Sequence, residues 1–268
     1  MNERYLVTGA AGHLGSAVCS LLKDRGAKVR GLAYYTDDTE FVESLGVEVY
    51  RGDVTDKESL KPFFEGAEGW YLIHTAAVVD INSKENERMR EVNIGGTKNV
   101  VEMAEEYGVE KTVYVSSVHA IPVLPHGRVM REVKEFDPEK VNGAYAKTKA
   151  EAAAYVAEKT ENGFNACIVH PSGIIGPYPS KGNHLVQMIK NYVKGLLPGC
   201  VKGGYDFVDV RDVARGILAC SESGEPGKGY ILSGCYVTIR RMLQLVGKAA
   251  KLKYRSICLP LGLSLIHI

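Results

Sequence analysis

No run of apolar residues in this 268-residue chain is long enough to span a bilayer, and the N-terminus carries no apolar signal core beyond its first strand-like segment. Charge of one sign is equally scarce. With 33 Lys+Arg against 32 Asp+Glu the formal net charge is +1, and no block of like charges marks a nucleic-acid-binding arm. The six cysteines (Cys19, Cys167, Cys200, Cys220, Cys235, Cys258) never form Cys-x-x-Cys, which removes the usual dithiol and zinc signatures. Most have apolar neighbours and are expected as reduced thiols. Internal repeats and low-complexity tracts are missing as well, which excludes a solenoid. These absences leave a soluble, cytoplasmic protein with neither a membrane nor a nucleic acid among its expected partners.

What is present is an alternation of strand-like and helix-like segments. Apolar runs at Tyr5–Val7, Lys28–Ala33, Val47–Tyr50, Trp70–His74, Thr112–Ser116 and Ala166–Val169 read as strands. Helical patterns begin near His13, Asp38 and Asp56, extend from about Lys84 to Tyr107, and cover Ala144–Glu161. Such alternation predicts an α/β fold, a doubly wound parallel sheet with helices on both faces and its ligands beyond the carboxyl ends of the strands. After Pro171 the texture becomes richer in Gly and Pro. Helices are predicted near His184–Lys194, Asp209–Cys220 and Thr238–Ala250, with a strand at Tyr230–Leu232. The implied organisation is a nucleotide-binding domain over residues 1–171 and a smaller substrate lobe over 172–268, of which 209–222 return to the first domain.

The first strand runs into Thr8-Gly9-Ala10-Ala11-Gly12-His13-Leu14-Gly15, the strand–turn–helix context of a dinucleotide fingerprint. Gly9 permits the tight turn, Gly12 lets backbone approach a pyrophosphate, and Gly15 lets helix and strand pack closely. The positive end of the helix then faces the phosphates. On these residues alone, a glycine-rich loop without a ligand is the alternative. Tyr145-Ala146-Lys147-Thr148-Lys149 places a phenol and an ammonium one helical turn apart. A neighbouring cation favours the phenolate of a group whose ordinary pKa is ~10. Ser117, 28 residues earlier at the end of the fifth strand, is placed to hydrogen-bond a carbonyl or hydroxyl.

In combination these motifs resemble the extended short-chain dehydrogenase/reductases, the NAD-dependent epimerase/dehydratase group, and within it the dihydroflavonol-reductase-like and 3β-hydroxysteroid-dehydrogenase-like branch. The resemblance runs from Tyr5 to about Leu261. It is carried further by Gly52-Asp53-Val54-Thr55-Asp56, Val92-Asn93-Ile94-Gly95-Gly96-Thr97, His170-Pro171-Ser172-Gly173-Ile174-Ile175-Gly176-Pro177 and Phe207-Val208-Asp209-Val210-Arg211-Asp212. It implies a Rossmann fold binding NAD or NADP. It further implies that Thr8, Gly9, Ala11, Gly12, His13, Leu14 and Gly15 surround the phosphates, and that Asp53 and Val54 hold the adenine. Thr75, Ala76 and Ala77 would pack near ribose and phosphates, and Pro171, Ser172, Gly173 and Ile174 would pass beside the nicotinamide. Ser117, Tyr145, Lys149 and Asn93 are the implied catalytic set, Lys149 also binding the nicotinamide ribose.

Bland alternatives stand beside several of these. Asp53 is equally suited to capping the next helix, and Asn93 to satisfying backbone in a helix kink. His74 and His119 have no second base or ligand set and are read as structural. Asp209 and Asp212 read as a helix start. Two features depart from the family pattern. The tip of the second strand shows Ala33, Tyr34 and Tyr35, with neither an acid for the ribose hydroxyls nor a cation for a 2′-phosphate. Because Asp37 and Asp38 follow, NAD is favoured over NADP. The chain also ends at Leu259–Ile268, where members continue into helices that close the substrate pocket, so a shortened lobe with an uncovered apolar stretch at Ile257–Leu263 is expected. The implied activity is hydride transfer between a secondary alcohol and a ketone, on a small-molecule substrate. A nucleotide-sugar epimerase with tightly held NAD and a non-catalytic cofactor sensor are the alternatives. Dehydration is disfavoured, because Val118 and not an acid follows Ser117. A homodimer is the one protein assembly in view. The loops Ala120–Asn142 and Gly176–Asp206 carry no motif that identifies the substrate.

Overall fold

The computed structural model describes residues 3–80, 86–125, 127–179, 184–197, 199–252 and 257–259. Its centre is a seven-stranded sheet of β1 (Arg4–Thr8), β2 (Lys28–Ala33), β3 (Glu48–Arg51), β4 (Tyr71–His74), β5 (Lys111–Val115), β6 (Ala166–Pro171) and β10 (Gly229–Leu232). The order is β10-β6-β5-β4-β1-β2-β3, and every pair is parallel. β1, β4, β5 and β6 are buried on both faces, which is why they read as continuous apolar runs and not as alternation. Helices α1 (His13–Asp24) and α8 (Val210–Ser223) cover one face through Ala17, Val18, Leu22, Val213 and Ile217. Helices α3 (Lys57–Phe64), α5 (Thr97–Glu106) and α6 (Ala144–Glu161) cover the other through Leu60, Phe63, Val101, Ala150 and Ala153. α2 (Glu40–Ser44) flanks α1.

The stretch expected as one long helix is interrupted. α4 (Glu87–Arg90) passes into a π-helical segment, Glu91–Gly96, before α5 begins. The wide turn brings Asn93 inward. Gly96 faces Val54 so closely that an added Cβ would lie 2.5 Å from a Val54 methyl. Lys84, the start read from the sequence, lies outside the described residues. A second sheet is formed by β7 (Gly173–Ile175), β9 (Gly204–Asp209) and β11 (Cys235–Thr238), and a short pair by β8 (Gly199–Val201) and β12 (Ile257–Leu259). α7 (His184–Val193) and α9 (Ile239–Ala249) share a small core containing Tyr192, Phe207, Met242 and Leu243. Apart from the backbone of β12, the stretch Ile257–Leu263 and the chain end lie outside the described residues. Among the described residues, no helix is long and apolar enough to cross a membrane, and no cluster of His, Cys, Asp or Glu is arranged to hold a metal.

Candidate active site at the carboxyl edge of the sheet

β1 and β4 end in register, Thr8 opposite His74, and the chain leaves both into one crevice. Gly9 adopts φ +65°, and a Cβ there would press to 2.9 Å from the Ala76 backbone. A Cβ on Gly15 would come to 2.1 Å from the Gly9 carbonyl oxygen, so the first turn of α1 rests directly on the loop. Gly12 N-caps α1 without any side-chain cap, and the first turn contains no acid. Its orphan N–H groups and positive dipole end are therefore left for an anion.

Three catalytic candidates come together where β5 ends. Ser117 Oγ accepts the His119 N–H at 3.2 Å, in the 3₁₀ turn Val118–Ala120 that packs on α6. Tyr145, in the first turn of α6, meets the His119 ring edge-on at 6.1 Å. Burial pushes its phenol up to about 12, with the Ser117 hydroxyl beside it acting the other way. Lys149 lies one turn further along the same helix. Its buried Nζ donates to the Val115 carbonyl at 2.7 Å and lies 4.8 Å over the Tyr114 ring. Burial pulls its pKa down to about 7. A buried ammonium needs acceptors, and at this depth the nearest is the strand's own end.

Asn93 has its whole amide engaged. Oδ1 accepts the Val78 N–H at 2.8 Å, while Nδ2 donates to the Val78 carbonyl at 2.9 Å and Thr148 Oγ1 at 3.1 Å. The side chain thus clamps the loop after β4 to α6. His74 belongs to the same buried network, and its tautomer follows from its neighbours. Thr97 Oγ1 donates to the Asn93 carbonyl at 2.7 Å, so at 3.0 Å it must accept from His74 Nε2–H. Nδ1 is then bare and accepts from Thr8 Oγ1 at 2.7 Å, which leaves that hydroxyl to accept the Ala76 N–H at 3.2 Å. With both nitrogens committed and fully buried, His74 is held neutral, its pKa down at about 3 through burial and then the Lys149 charge. Thr75 adds a bond from its hydroxyl to the Thr8 carbonyl. One directional chain therefore fixes the glycine loop, the β4 loop and the π-helical segment relative to one another, and the Asn93 amide joins α6 to them.

The model of the NAD dependent epimerase/dehydratase family matches residues 5–232. The chain belongs to this family. It is 33% identical over 239 residues to a sterol demethylase protein B of Methylococcus capsulatus, covering 89% of this chain and 72% of that one. It is 30% identical to a putative dihydroflavonol 4-reductase of Synechocystis, covering 99% and 78%. The UDP-glucose 4-epimerase of Thermus thermophilus, solved in complex with NAD, superposes with a TM-score of 0.79 at 27% identity, covering 96% and 86%. As a member of this family the chain is an enzyme with a Rossmann-type sheet.

The residues present fit a dinucleotide. The uncapped α1 start, held close against the loop by the tight approaches at Gly9 and Gly15, presents its N–H groups to a phosphate, and the buried Ser172 Oγ beyond β6 has no partner among the described residues. Asp53 is not the cap of α3; Asp56 is, accepting the Glu58 N–H. Asp53 Oδ1 accepts the Thr55 N–H and Oδ2 the Arg88 guanidinium at 2.6 Å. Burial raises its pKa, and these bonds outweigh that and lower it. His13, in the first turn of α1, reaches the carbonyls of Pro177 at 2.9 Å and Gly176 at 3.3 Å through its Nε2–H. Asp209 caps α8 and pairs with Arg211, a structural role. Near the tip of β2 the structure adds two cations that the sequence pattern does not signal, Arg51 and Arg88, and fixes the place of Asp37. The turn Tyr34–Asp37 folds back so that Asp37 Oδ2 accepts the Tyr34 N–H at 3.0 Å, and the register Ala33–Arg51 brings in a cation. Arg51 is engaged with the turn itself, donating to the carbonyls of Tyr34 and Asp37 and to Thr39 Oγ1. The Arg88 guanidinium lies 5.8 Å from the Tyr34 ring.

Gly15→Ala tests the close approach of α1 to the loop directly. The methyl can be accommodated only by moving α1 off the Gly9 carbonyl, an overpacking that costs about 1–3 kcal/mol and misplaces the phosphate-facing N–H groups. NADH affinity measured by calorimetry is expected to fall at least about tenfold. Unchanged affinity would show that this loop does not hold the phosphates.

Proposed function

We propose that this chain is an NAD-dependent oxidoreductase that interconverts a secondary alcohol and a ketone. Ser117 carries the reading. Its oxygen already accepts the His119 N–H, so its own proton is left to donate, beside a Tyr145 phenol that burial keeps protonated. Two O–H donors side by side suit a carbonyl oxygen and the alkoxide it becomes. When bound, the nicotinamide would supply the hydride in reduction and accept it in oxidation. In reduction Tyr145 gives its proton to the substrate oxygen while Ser117 holds that oxygen. Lys149, within one turn of the phenol, favours the phenolate left behind. Thr8, Gly9, Ala11, Gly12, Leu14 and Gly15 would hold the phosphates, and Asp53 and Val54 the adenine. Thr75, Ala76 and Ala77 would pack near the ribose and phosphates, and Pro171, Ser172, Gly173 and Ile174 would pass beside the nicotinamide, with Lys149 on the nicotinamide ribose. Asn93 acts through the Val78 loop and Thr148 and is better described as a positioning residue.

The loop after Ser117 lines a half-open pocket of about 520 Å³ in which Ile121, Leu124, Val129, Met130 and Val133 stand beside Arg128, Arg131 and Glu132, and a compact ketone is the substrate class we infer. The test follows NADH oxidation with acetophenone, cyclohexanone and a 3-ketosteroid, alongside UDP-glucose. Ketone-dependent oxidation with freely exchanging cofactor is expected. Conversion of UDP-glucose to its C4 epimer with NAD retained through purification would instead make it an epimerase.

NAD is the favoured dinucleotide. The folded-back Asp37 supplies an acid at the tip of β2, suited to ribose hydroxyls and opposed to a 2′-phosphate, and the nearby Arg51 is engaged with backbone. Opposition between a carboxylate and a neighbouring 2′-phosphate is worth about 1–3 kcal/mol. Fluorescence titration is expected to give tighter NADH than NADPH binding, with Asp37→Ser narrowing the ratio about tenfold. Tighter NADPH binding by the unaltered protein would reverse the assignment.

A further inference from the structure

His170, near the end of β6, is fully buried and takes no part in the chemistry above. Its Nδ1 lies 3.2 Å from the Ser117 carbonyl oxygen. A carbonyl only accepts, so Nδ1 carries the proton and Nε2 is a bare acceptor. That Nε2 has no hydrogen-bond partner among the described residues. Gly229 of β10 closes over it so tightly that a Cβ would sit 3.2 Å away, and the Phe136 ring covers the imidazole at 5.3 Å. Of the charged groups, Lys149 and Glu132 act on it in opposite directions, and burial dominates both, bringing its pKa down to about 4. An apolar side chain would fill this space without leaving a buried acceptor bare, which is unfavourable. The N–H on the other side therefore has a use.

That use is visible at Ser117. The carbonyl that receives His170 Nδ1–H also receives the Ala120 N–H at 3.0 Å, closing the 3₁₀ turn. The same turn supplies the His119 N–H that occupies the Ser117 hydroxyl oxygen. His170 thus ties the turn to the neighbouring strand, β6, by the peptide from which the Ser117 side chain projects.

We propose that His170 is a positioning residue whose Nδ1–H holds the Ser117 carbonyl and so keeps the Ser117 hydroxyl directed at the substrate oxygen beside Tyr145. The proposal rests on the reading of Ser117 as a donor to substrate. It predicts a split that mere packing would not produce. His170→Leu keeps the volume and loses the donor, and kcat should fall about 10- to 100-fold with NADH affinity and melting temperature little changed. His170→Asn places an amide N–H where Nδ1–H stands and should recover most of that loss. In a Ser117→Ala background, His170→Leu should cause no further drop, because both changes remove one function.

The experiment combines this cycle, run with whichever of the three ketones is reduced fastest, with ¹⁵N NMR of the intact protein. The His170 signals, assigned by their disappearance in His170→Asn, should report the Nδ1–H tautomer. An Nε2–H tautomer would overturn the proposal without any activity measurement, as would losses that multiply in the double variant or an Asn variant no better than Leu. If Ser117→Ala itself keeps full activity, the reading of Ser117 fails, which is a different result from a damaging Ser117→Ala beside a silent His170→Leu.

Discussion

Tyr145→Phe is expected to lower kcat for ketone reduction by about 10²–10⁴-fold, the range a positioned proton donor contributes, while NADH affinity stays within about twofold. The substitution removes one oxygen. The ring remains, and with it the edge-on contact to His119 and the packing of the first turn of α6. Because burial holds the phenol at about 12, Tyr145 is protonated throughout the accessible pH range and enters reduction as an acid without titrating itself. Ser117 does not replace it as the proton source. Its ordinary acidity is lower still, and its oxygen is fixed by the His119 N–H. Residual activity above about a tenth of the unaltered protein would move the proton donation to water or to Ser117, since an effect that small lies below what a positioned donor supplies.

The sheet was legible because its central strands are buried on both faces. Tyr5-Leu6-Val7 and Tyr71-Leu72-Ile73 announce themselves as apolar runs with glycine or a turn after them. β7, β8, β9 and β11 were not read. Several are three or four residues long, and what makes them strands is a partner far away in sequence, as with Tyr236 opposite Asp206. The candidate site divides the same way. Ser117, Tyr145 and Lys149 could be placed because each stands at a strand end or a helical spacing. The contact between Lys149 and Val115 could not, because a long side chain chooses among acceptors that only the assembled core presents. At the tip of β2, Asp37 returns through a turn and Arg51 arrives through strand register, 18 residues after Ala33. Asp37 is visible after the strand but its return to the Tyr34 N–H is not, and Arg51 lies outside any search confined to that position. In the sequence His170 stands only as the first residue of the His170–Pro177 motif; its orientation toward Ser117 depends on Gly229 and Phe136, both remote in the chain.

Lys149 should set the pH dependence. Its ammonium is protonated in the free protein only below about 7, because burial disfavours the charge. Reduction needs both the phenol proton, present throughout, and the cation that favours the resulting phenolate. Therefore kcat/KM, which reports the free enzyme, is expected to fall about tenfold per pH unit above about 7. Lys149→Met should abolish that limb and depress the plateau by about 10²-fold or more, weakening NADH binding as well. Stability supplies an independent reading of the same group. The folded pKa lies below the unfolded value of 10.5, so between about 7 and 10.5 the unfolded chain binds the extra proton. The contribution of Lys149 to unfolding free energy then rises with pH across that window, the burial penalty being complete below about 7 and relieved above it. Melting temperatures of the unaltered protein and Lys149→Met, compared from pH 6 to about 9.5, should converge in favour of the unaltered protein as pH rises. A difference between them that is flat with pH, together with a flat kcat/KM profile, would show that Lys149 keeps its proton and that the Val115 carbonyl and Tyr114 ring compensate its burial.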